Sequence, residues 1–264
     1  MLTRKSIRLI KVKQCTLDGL TFRPNTLVFF DPSHGRKVMS GALACGSFPA
    51  QSPQTDSDGL AKLFEFSAQH HWGRRQLLLR AGDAATSLHR VTSGVVAVST
   101  TMPDARRQII VFLFPGDICG LVQSDGQYAF DYETITKATT RGVDMCHVRK
   151  LTRSDPHVAD AVREKMSRSH NRVTEQLVAV GQLNGKERVV YFLRRLSQSY
   201  AERGMPMHPV VLPMARRDIA DHLGMRLETV SRVLAQLQRR GFIALQDGDR
   251  VVLHSSIAGV VTPL

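Results

Sequence analysis

Residues 213–240 carry two short amphipathic helical patterns broken by a single glycine, an arrangement that few folds accommodate. Ile219, Ala220 and Leu223 line the inner face of the first pattern, and Gly224 frees the chain for a tight turn. Val230, Val233, Leu234 and Leu237 then give the second pattern an apolar side to pack back with. The spacing predicts a helix-turn-helix whose second helix leaves its outer face to solvent. On that face Glu228, Ser231 and Arg232 stand at i, i+3 and i+4, so their side chains point together from the first turns. Arginine can fork onto guanine O6 and N7, glutamate can accept from a cytosine amino group, and serine can serve either role; each good pair discriminates by roughly 1–3 kcal/mol. Over the same stretch Arg216, Arg217, Arg226, Arg232, Arg239 and Arg240 outnumber Asp218, Asp221 and Glu228, which supplies attraction to phosphate. Gly241 stops the second helix, and the apolar runs 242–244 and 251–253 flank Asp247-Gly248, a favoured hairpin turn, so a β wing follows. A helical hairpin with an exposed charged face is the bland alternative, but it leaves the turn glycine, the convergent triad and the wing without a common reason.

The charge of the whole chain agrees with an anionic partner. With 36 Lys+Arg against 23 Asp+Glu, the formal net charge is +13 and the sequence pI about 10.2, which favours DNA, RNA or anionic lipid without choosing among them. No uninterrupted apolar run approaches the ~20 residues of a membrane helix, so no membrane partner is expected. Cys15, Cys45, Cys119 and Cys146 form no C-x-x-C pair, which indicates neither a disulfide scaffold nor a zinc finger and fits a reducing cytoplasm.

The length of 264 residues suggests two domains. Residues 1–58 open with Arg4, Lys5, Arg8, Lys11 and Lys13 and no acid, a pattern shared by transit peptides and nucleic-acid-binding arms; the prolines, glycines and polar stretch that follow read as a poorly ordered leader with no assigned function. Leu60, Leu63, Phe64 and Ala68 predict a short helix over 60–72. Residues 76–80, 88–90, 94–100, 107–114 and 131–148 are β-rich and separated by turn signals, so 59–150 is expected to form a small jelly roll or barrel. From about residue 156 a helical stripe begins, with Ala159, Met166, Val173 and Val180 seven apart and Val162 and Leu177 between them. Its narrow apolar seam suits a partner helix, which makes 151–184 a candidate dimerisation helix; a helix packed on its own domain is the alternative. Asn184 and Glu187 form a capping-box pattern, and Val189, Val190, Phe192, Leu193 and Leu196 then open a C-terminal domain over 185–264. The fold class is α+β: a β-roll, a long helix and a winged helix-turn-helix.

The run Ile219-Ala220-Asp221-His222-Leu223-Gly224, followed by Glu228-Thr229-Val230-Ser231-Arg232, resembles the helix-turn-helix of the Crp/Fnr superfamily, in the form of its Fnr/FixK branch. Arg80-Ala81-Gly82-Asp83, Ser93-Gly94 and Phe114-Pro115-Gly116-Asp117 are similar, in order and spacing, to the turn glycines of that superfamily's sensory roll. The resemblance covers about residues 60–255. It implies a transcription regulator that binds double-stranded DNA as a homodimer on an inverted repeat of TTGAT-like half-sites and recruits RNA polymerase. The residues expected to touch DNA are Arg216, Arg217, Arg226, Glu228, Thr229, Ser231 and Arg232. Ala215 and Arg226 depart from the usual Ser or Thr helix caps, a loss that typically costs ~1 kcal/mol each and that bound phosphate could make good.

Relatives that bind a cyclic nucleotide hold it with an acidic residue and an Arg-Ser pair, which Gly116-Asp117-Ile118-Cys119-Gly120 and Phe130-Asp131-Tyr132-Glu133-Thr134 do not supply. An iron-sulfur cluster needs four thiolates, and only Cys146 sits at a matching position. His70, His71 and His89 are candidate haem ligands, although lone histidines in such segments more often serve structure. The expectation is a regulator with no cofactor, controlled by abundance or by thiol oxidation at Cys119 or Cys146. The alternative is an effector-gated form that holds a small ligand, haem or a cluster in the roll. No His-x-His with a following carboxylate and His is present, so neither a catalytic nor a metal site is expected.

Overall fold

The computed structural model describes residues 16–17, 20–21, 58–120, 126–206, 209–246 and 250–254. The chain divides into two units, residues 1–51 with 263–264, and residues 52–262. In the first unit β1 (Thr16–Leu17) and β2 (Leu20–Thr21) pair antiparallel. The rest of the expected leader up to residue 57 lies outside the described residues.

In the second unit, α1 (Asp58–Leu63) buries Leu60 and Leu63, and Phe64, just after it, is buried in the same cluster. The sequence predicts a helix to residue 72, but the chain turns after Phe64 and continues as β3 (Ala68–Trp72). There it forms a continuous ladder with β10 (Ala138–Asp144), from Ala68↔Gly142 to Trp72↔Ala138. A strand partner distant in sequence overrides local helical spacing. Between them lie β4 (Leu77–Leu79), β5 (Ser87–Ser93), β6 (Val96–Thr101), β7 (Arg107–Leu113), β8 (Ile118–Cys119) and β9 (Asp131–Thr134). They build two antiparallel sheets, in the orders β3-β10-β5-β8 and β4-β9-β6-β7, which enclose Val91, Val96, Val98, Leu113, Cys119, Tyr128 and Tyr132. The β-rich run expected to reach residue 148 ends at Asp144, where α2 (Met145–Ser154) begins. Met145 and Val148, three apart, both turn into the cluster shared with α1, a periodicity that only a helix provides.

Helix α3 (Pro156–Gln182) starts where Asp155 accepts from the His157 amide at 3.0 Å and Pro156 occupies the first turn. Asn184 Oδ1 accepts from the Lys186 and Glu187 amides, both at 3.1 Å, while Glu187 Oε2 accepts from the Asn184 amide at 2.9 Å. This reciprocal cap starts α4 (Gly185–Ala201), as the Asn184–Glu187 spacing predicts. There follow β11 (Val210–Val211), α5 (Arg216–Leu223), α6 (Leu227–Arg239), β12 (Ile243–Gln246) and β13 (Arg250–Leu253). The wing strands β12 and β13 pair antiparallel, and β11 joins them as a third strand that the sequence pattern does not reveal. The expected turn at Asp247-Gly248 lies outside the described residues.

One hydrophobic cluster runs from Val95, Ile109 and Phe112 of the roll through Val189, Phe192 and Leu193 of α4 to Ile219, Leu223, Val230 and Leu234 of the helical pair. The roll and the helix-turn-helix therefore share a core within this unit.

Candidate nucleic-acid interface

Ala215 precedes α5 in extended conformation and has no side-chain acceptor, so the first turn is completed from one side only, by Asp218 Oδ2 accepting from the Ala215 amide at 3.0 Å. Gly224 ends the helix at φ +61°, a left-handed conformation that L side chains avoid, and the Met225 amide bonds back to Ala220 O at 3.0 Å. Arg226 then starts α6 without a side-chain cap bond, as its chemistry requires. Val230, Val233, Leu234 and Leu237 are buried, which commits one side of α6 to the core and turns the other outward.

The expected reading residues lie on that outward side. Arg226, Glu228 and Arg232 are exposed, while Thr229 and Ser231 are half-buried beside them. Arg216 and Arg217 are exposed in the first turn of α5. The structure thus gathers Arg226, Glu228, Thr229, Ser231 and Arg232 around the first two turns of one helix, each wholly or partly open to solvent.

The inner side of α5 carries a set of contacts that local sequence does not anticipate. Asp218 is buried and receives the Arg75 guanidinium through two bonds, Nη1 to Oδ1 at 2.8 Å and Nη2 to Oδ2 at 2.6 Å. Arg107 reaches the same carboxylate at 3.3 Å and Glu133 at 2.5 Å. Farther along, His222 lies between Phe112 and Phe192, and its Nδ1–H donates to Ile109 O at 3.1 Å, which assigns the tautomer. Burial pushes the pKa of His222 down to about 4, against the opposing effect of that bond. Asp218 three residues after Ala215 is a legible half of a capping box, but nothing local points to Arg75 or Arg107.

On α3, Met166, Val173 and Leu177 are exposed, with Leu177 at 71%. Ala159 and Val180 are half-buried, and Val162 packs against the α1–α2 cluster. Val158, Ala161 and Ala179 face the chain's own core. Part of the stripe thus packs on the chain's own domain, at Val162 and beside Ala179, while Met166, Val173 and Leu177 stay open to solvent.

In the roll, the acids singled out in the sequence at residues 131 and 133 are both engaged. Asp131 Oδ1 accepts from the Ala81 amide at 2.9 Å, Tyr132 fills the interior, and Glu133 is held by Arg107. His89 uses both ring nitrogens, one with Ser87 Oγ at 3.0 Å and one with Thr140 Oγ1 at 3.3 Å, and burial followed by repulsion from His70 lowers its pKa to about 4. Ligation of haem iron there would break that network. Cys119 is buried, and burial, then Asp117, raises its thiol pKa, which argues against the oxidation expected there, whereas Cys146 is exposed. Cys15 and Cys45 lie outside the described residues. Among the described residues no three His, Cys, Asp or Glu side chains gather as metal ligands, and no helix is long and apolar enough to cross a membrane.

Comparison with known proteins agrees with this architecture. Residues 187–256 match the Crp-like helix-turn-helix domain, and residues 69–155 match the cyclic nucleotide-binding domain. The nitrogen fixation regulation protein FixK of Bradyrhizobium diazoefficiens is 31% identical over 194 residues, covering 71% of this chain and 80% of that protein. FixK of Azorhizobium caulinodans is 35% identical over 177 residues, covering 67% and 71%. The anaerobic regulatory protein of Pasteurella multocida is 27% identical over 246 residues, 88% of each chain. Among solved structures, FixK2 from Bradyrhizobium japonicum superposes with a TM-score of 0.66 at 28% identity, covering 72% of this chain and 93% of that one. With its roll, long helix and winged helix-turn-helix matched in order, the chain belongs to the Crp/Fnr family of DNA-binding transcription regulators, among relatives that include FixK and the anaerobic regulators.

Proposed function

We propose that the protein acts as a homodimer on an inverted repeat of TTGAT-like half-sites, with no bound cofactor and no catalytic activity, in the cytoplasm. The observation that carries this reading is the outward cluster of Glu228, Ser231 and Arg232 on the first turns of α6, opposite a fully buried face. Those three side chains read base edges in the major groove. Arg216, Arg217, Arg226 and Thr229 position the helices on phosphates, and a phosphate at the start of α6 replaces the missing cap. Two copies of α3 pair through Met166, Val173 and Leu177, with Ala159, Val162 and Val180 at the margins of the seam. Surfaces away from DNA recruit RNA polymerase.

The test is fluorescence anisotropy of the aerobically purified, ligand-free protein on a TTGAT inverted repeat and on a scrambled duplex at one salt concentration. Selective binding is expected. Arg232→Ala should remove roughly 1–3 kcal/mol of that selectivity; if the variant still prefers TTGAT as the parent does, Arg232 does not read the site. Arg226→Ala should instead weaken binding to all sequences and lower the salt dependence by about one phosphate contact.

A second reading, gating by a small ligand, draws on a cavity of about 380 Å³ lined in part by Arg80, Asp83, Ser87, His89 and Tyr128. If ligand-free protein ignores TTGAT but a metabolite extract restores binding, this reading prevails.

A further inference from the structure

The polar contacts between the roll and α5 lie at the two ends of that helix. At its first turn, Asp218 is only 1% exposed and is met by Arg75 in a two-pronged pair and by Arg107. At its last turn, His222 donates to Ile109 O, and the His222 carbonyl accepts from Gln108 Nε2 at 3.3 Å and Gln176 Nε2 at 2.8 Å. Arg107, Gln108 and Ile109 are consecutive on β7, an edge strand of its sheet, so one strand addresses both ends of one helix.

Arg75 adds an independent observation. Its backbone sits at φ +60°, a conformation that glycine adopts freely and arginine does not. Its amide bonds Thr134 O at 2.8 Å, which holds the residue in place, and its side chain makes the closest pair with Asp218. A strained arginine in a turn that glycine would fit is explained when the side chain is needed where that turn delivers it.

Asp218 also has an electrostatic reason to be covered. It lies beside Arg216 and Arg217 at the end of α5 expected to meet phosphate, where a free carboxylate would repel the DNA backbone. Pairing with two guanidinium groups neutralises it and ties it to the roll in one arrangement. Because α5 packs on α6 through Ile219, Leu223, Val230 and Leu234, holding α5 also orients α6.

We propose that Asp218 is a positioning residue for DNA recognition: gripped by Arg75 and Arg107, it fixes the orientation of the helix-turn-helix relative to the roll and thereby the half-site separation that a dimer accepts. The second part of this inference rests on the inverted-repeat reading above; the first does not.

The full-length protein and its Arg75→Ala, Asp218→Asn, Arg75→Lys and doubly substituted Arg75→Ala/Asp218→Asn forms test it. The Asp218→Asn change keeps a side-chain oxygen for the Ala215 amide, so the cap is retained while the charge is lost. Two measurements are made: amide hydrogen exchange in α5 and β7, and anisotropy on inverted repeats whose half-sites are separated by the preferred spacing or by one base pair more. Arg75→Ala and Asp218→Asn are each expected to speed exchange in α5 and along β7, and to reduce spacing discrimination about fivefold or more, within the usual range of coupling between sites. Preference for TTGAT over a scrambled half-site at fixed spacing should stay as in the parent. The double variant should be no worse than either single one, and Arg75→Lys should recover part of the effect. Unchanged exchange and spacing preference in Arg75→Ala would overturn the proposal. So would loss of half-site preference in step with melting, since Asp218 would then serve only the folding of α5. A parent protein indifferent to inverted repeats would refute the DNA reading alone, with exchange still deciding whether the grip exists.

Discussion

His222 and His89 show how individual side chains tie stability to pH. Both are buried, and burial holds each pKa at about 4 against 6.5 for a free histidine. The folded state therefore binds fewer protons than the unfolded chain as pH falls from about 6.5 toward 4, so the stabilisation present above 6.5 is lost across that window. With both histidines contributing, the slope approaches at most about 2.7 kcal/mol per pH unit near its steepest point. Urea unfolding of the parent between pH 7 and 4.5 should show this fall. His222→Gln, which keeps a donor for Ile109 O, should lose about half of it; an identical slope in that variant would mean that His222 takes up a proton as easily in the folded state as in the unfolded one. The sequence offered His222 only as part of a helix motif. Its burial follows from Phe112 and Phe192, which are distant in the chain and meet only in the fold.

At the level of elements, α1 and α3 test close approach and open surface. A Cβ on Gly59 would lie 2.4 Å from His157 O, a backbone atom that cannot swing aside. Gly→Ala in a helix ordinarily gains up to ~1 kcal/mol, but here the contact reverses the sign, and Gly59→Ala should cost roughly 1–3 kcal/mol in urea unfolding. Leu177, by contrast, is exposed in the single chain, so Leu177→Lys should leave monomer stability nearly unchanged and weaken self-association measured by analytical ultracentrifugation. A dimer of parental affinity in that variant would direct attention to another surface. The seven-residue repeat made the stripe legible, yet it could not tell that Val162 belongs partly to the α1–α2 cluster, because heptad spacing looks the same whether the partner helix is in the same chain or another.

For the molecule as a whole, Asp117 joins three parts. Its Oδ2 accepts from the Phe114 amide at 2.9 Å within the roll turn, from Arg172 of α3 at 3.0 Å, and from Arg203 after α4 at 2.8 Å. Burial alone would raise its pKa, but Arg172 and Arg203 outweigh burial and hold it below the ordinary carboxylate value. Its contribution is thus present above about pH 4 and lost as acid protonates it. Asp117→Ala leaves a buried arginine unpaired, and breaking such a pair typically costs about 3–5 kcal/mol. Calorimetry should show one transition for the parent, whose hydrophobic cluster crosses from roll to helix-turn-helix, and a lower, broadened or divided transition for the variant. A single transition at the parental temperature would show that this junction carries no coupling.

Helix α6, the glycine turn before it, the capping box at Asn184 and the alternation of short strands were all determined by neighbours within one or two turns of chain. Hydrophobic period, caps and glycine conformations act over that range, and the family resemblance rests on those same residues. Tertiary structure decided the rest: that residues 68–72 pair as a strand with β10, that α2 replaces the end of an expected β run, and that Arg75, Arg107 and Asp218 form one ionic group. Arg75 and Asp218 stand 143 residues apart, and no local propensity records a partner at that distance. Such pairings exist only once the roll and the helix-turn-helix close on a common core and exclude the water that would otherwise solvate each charge.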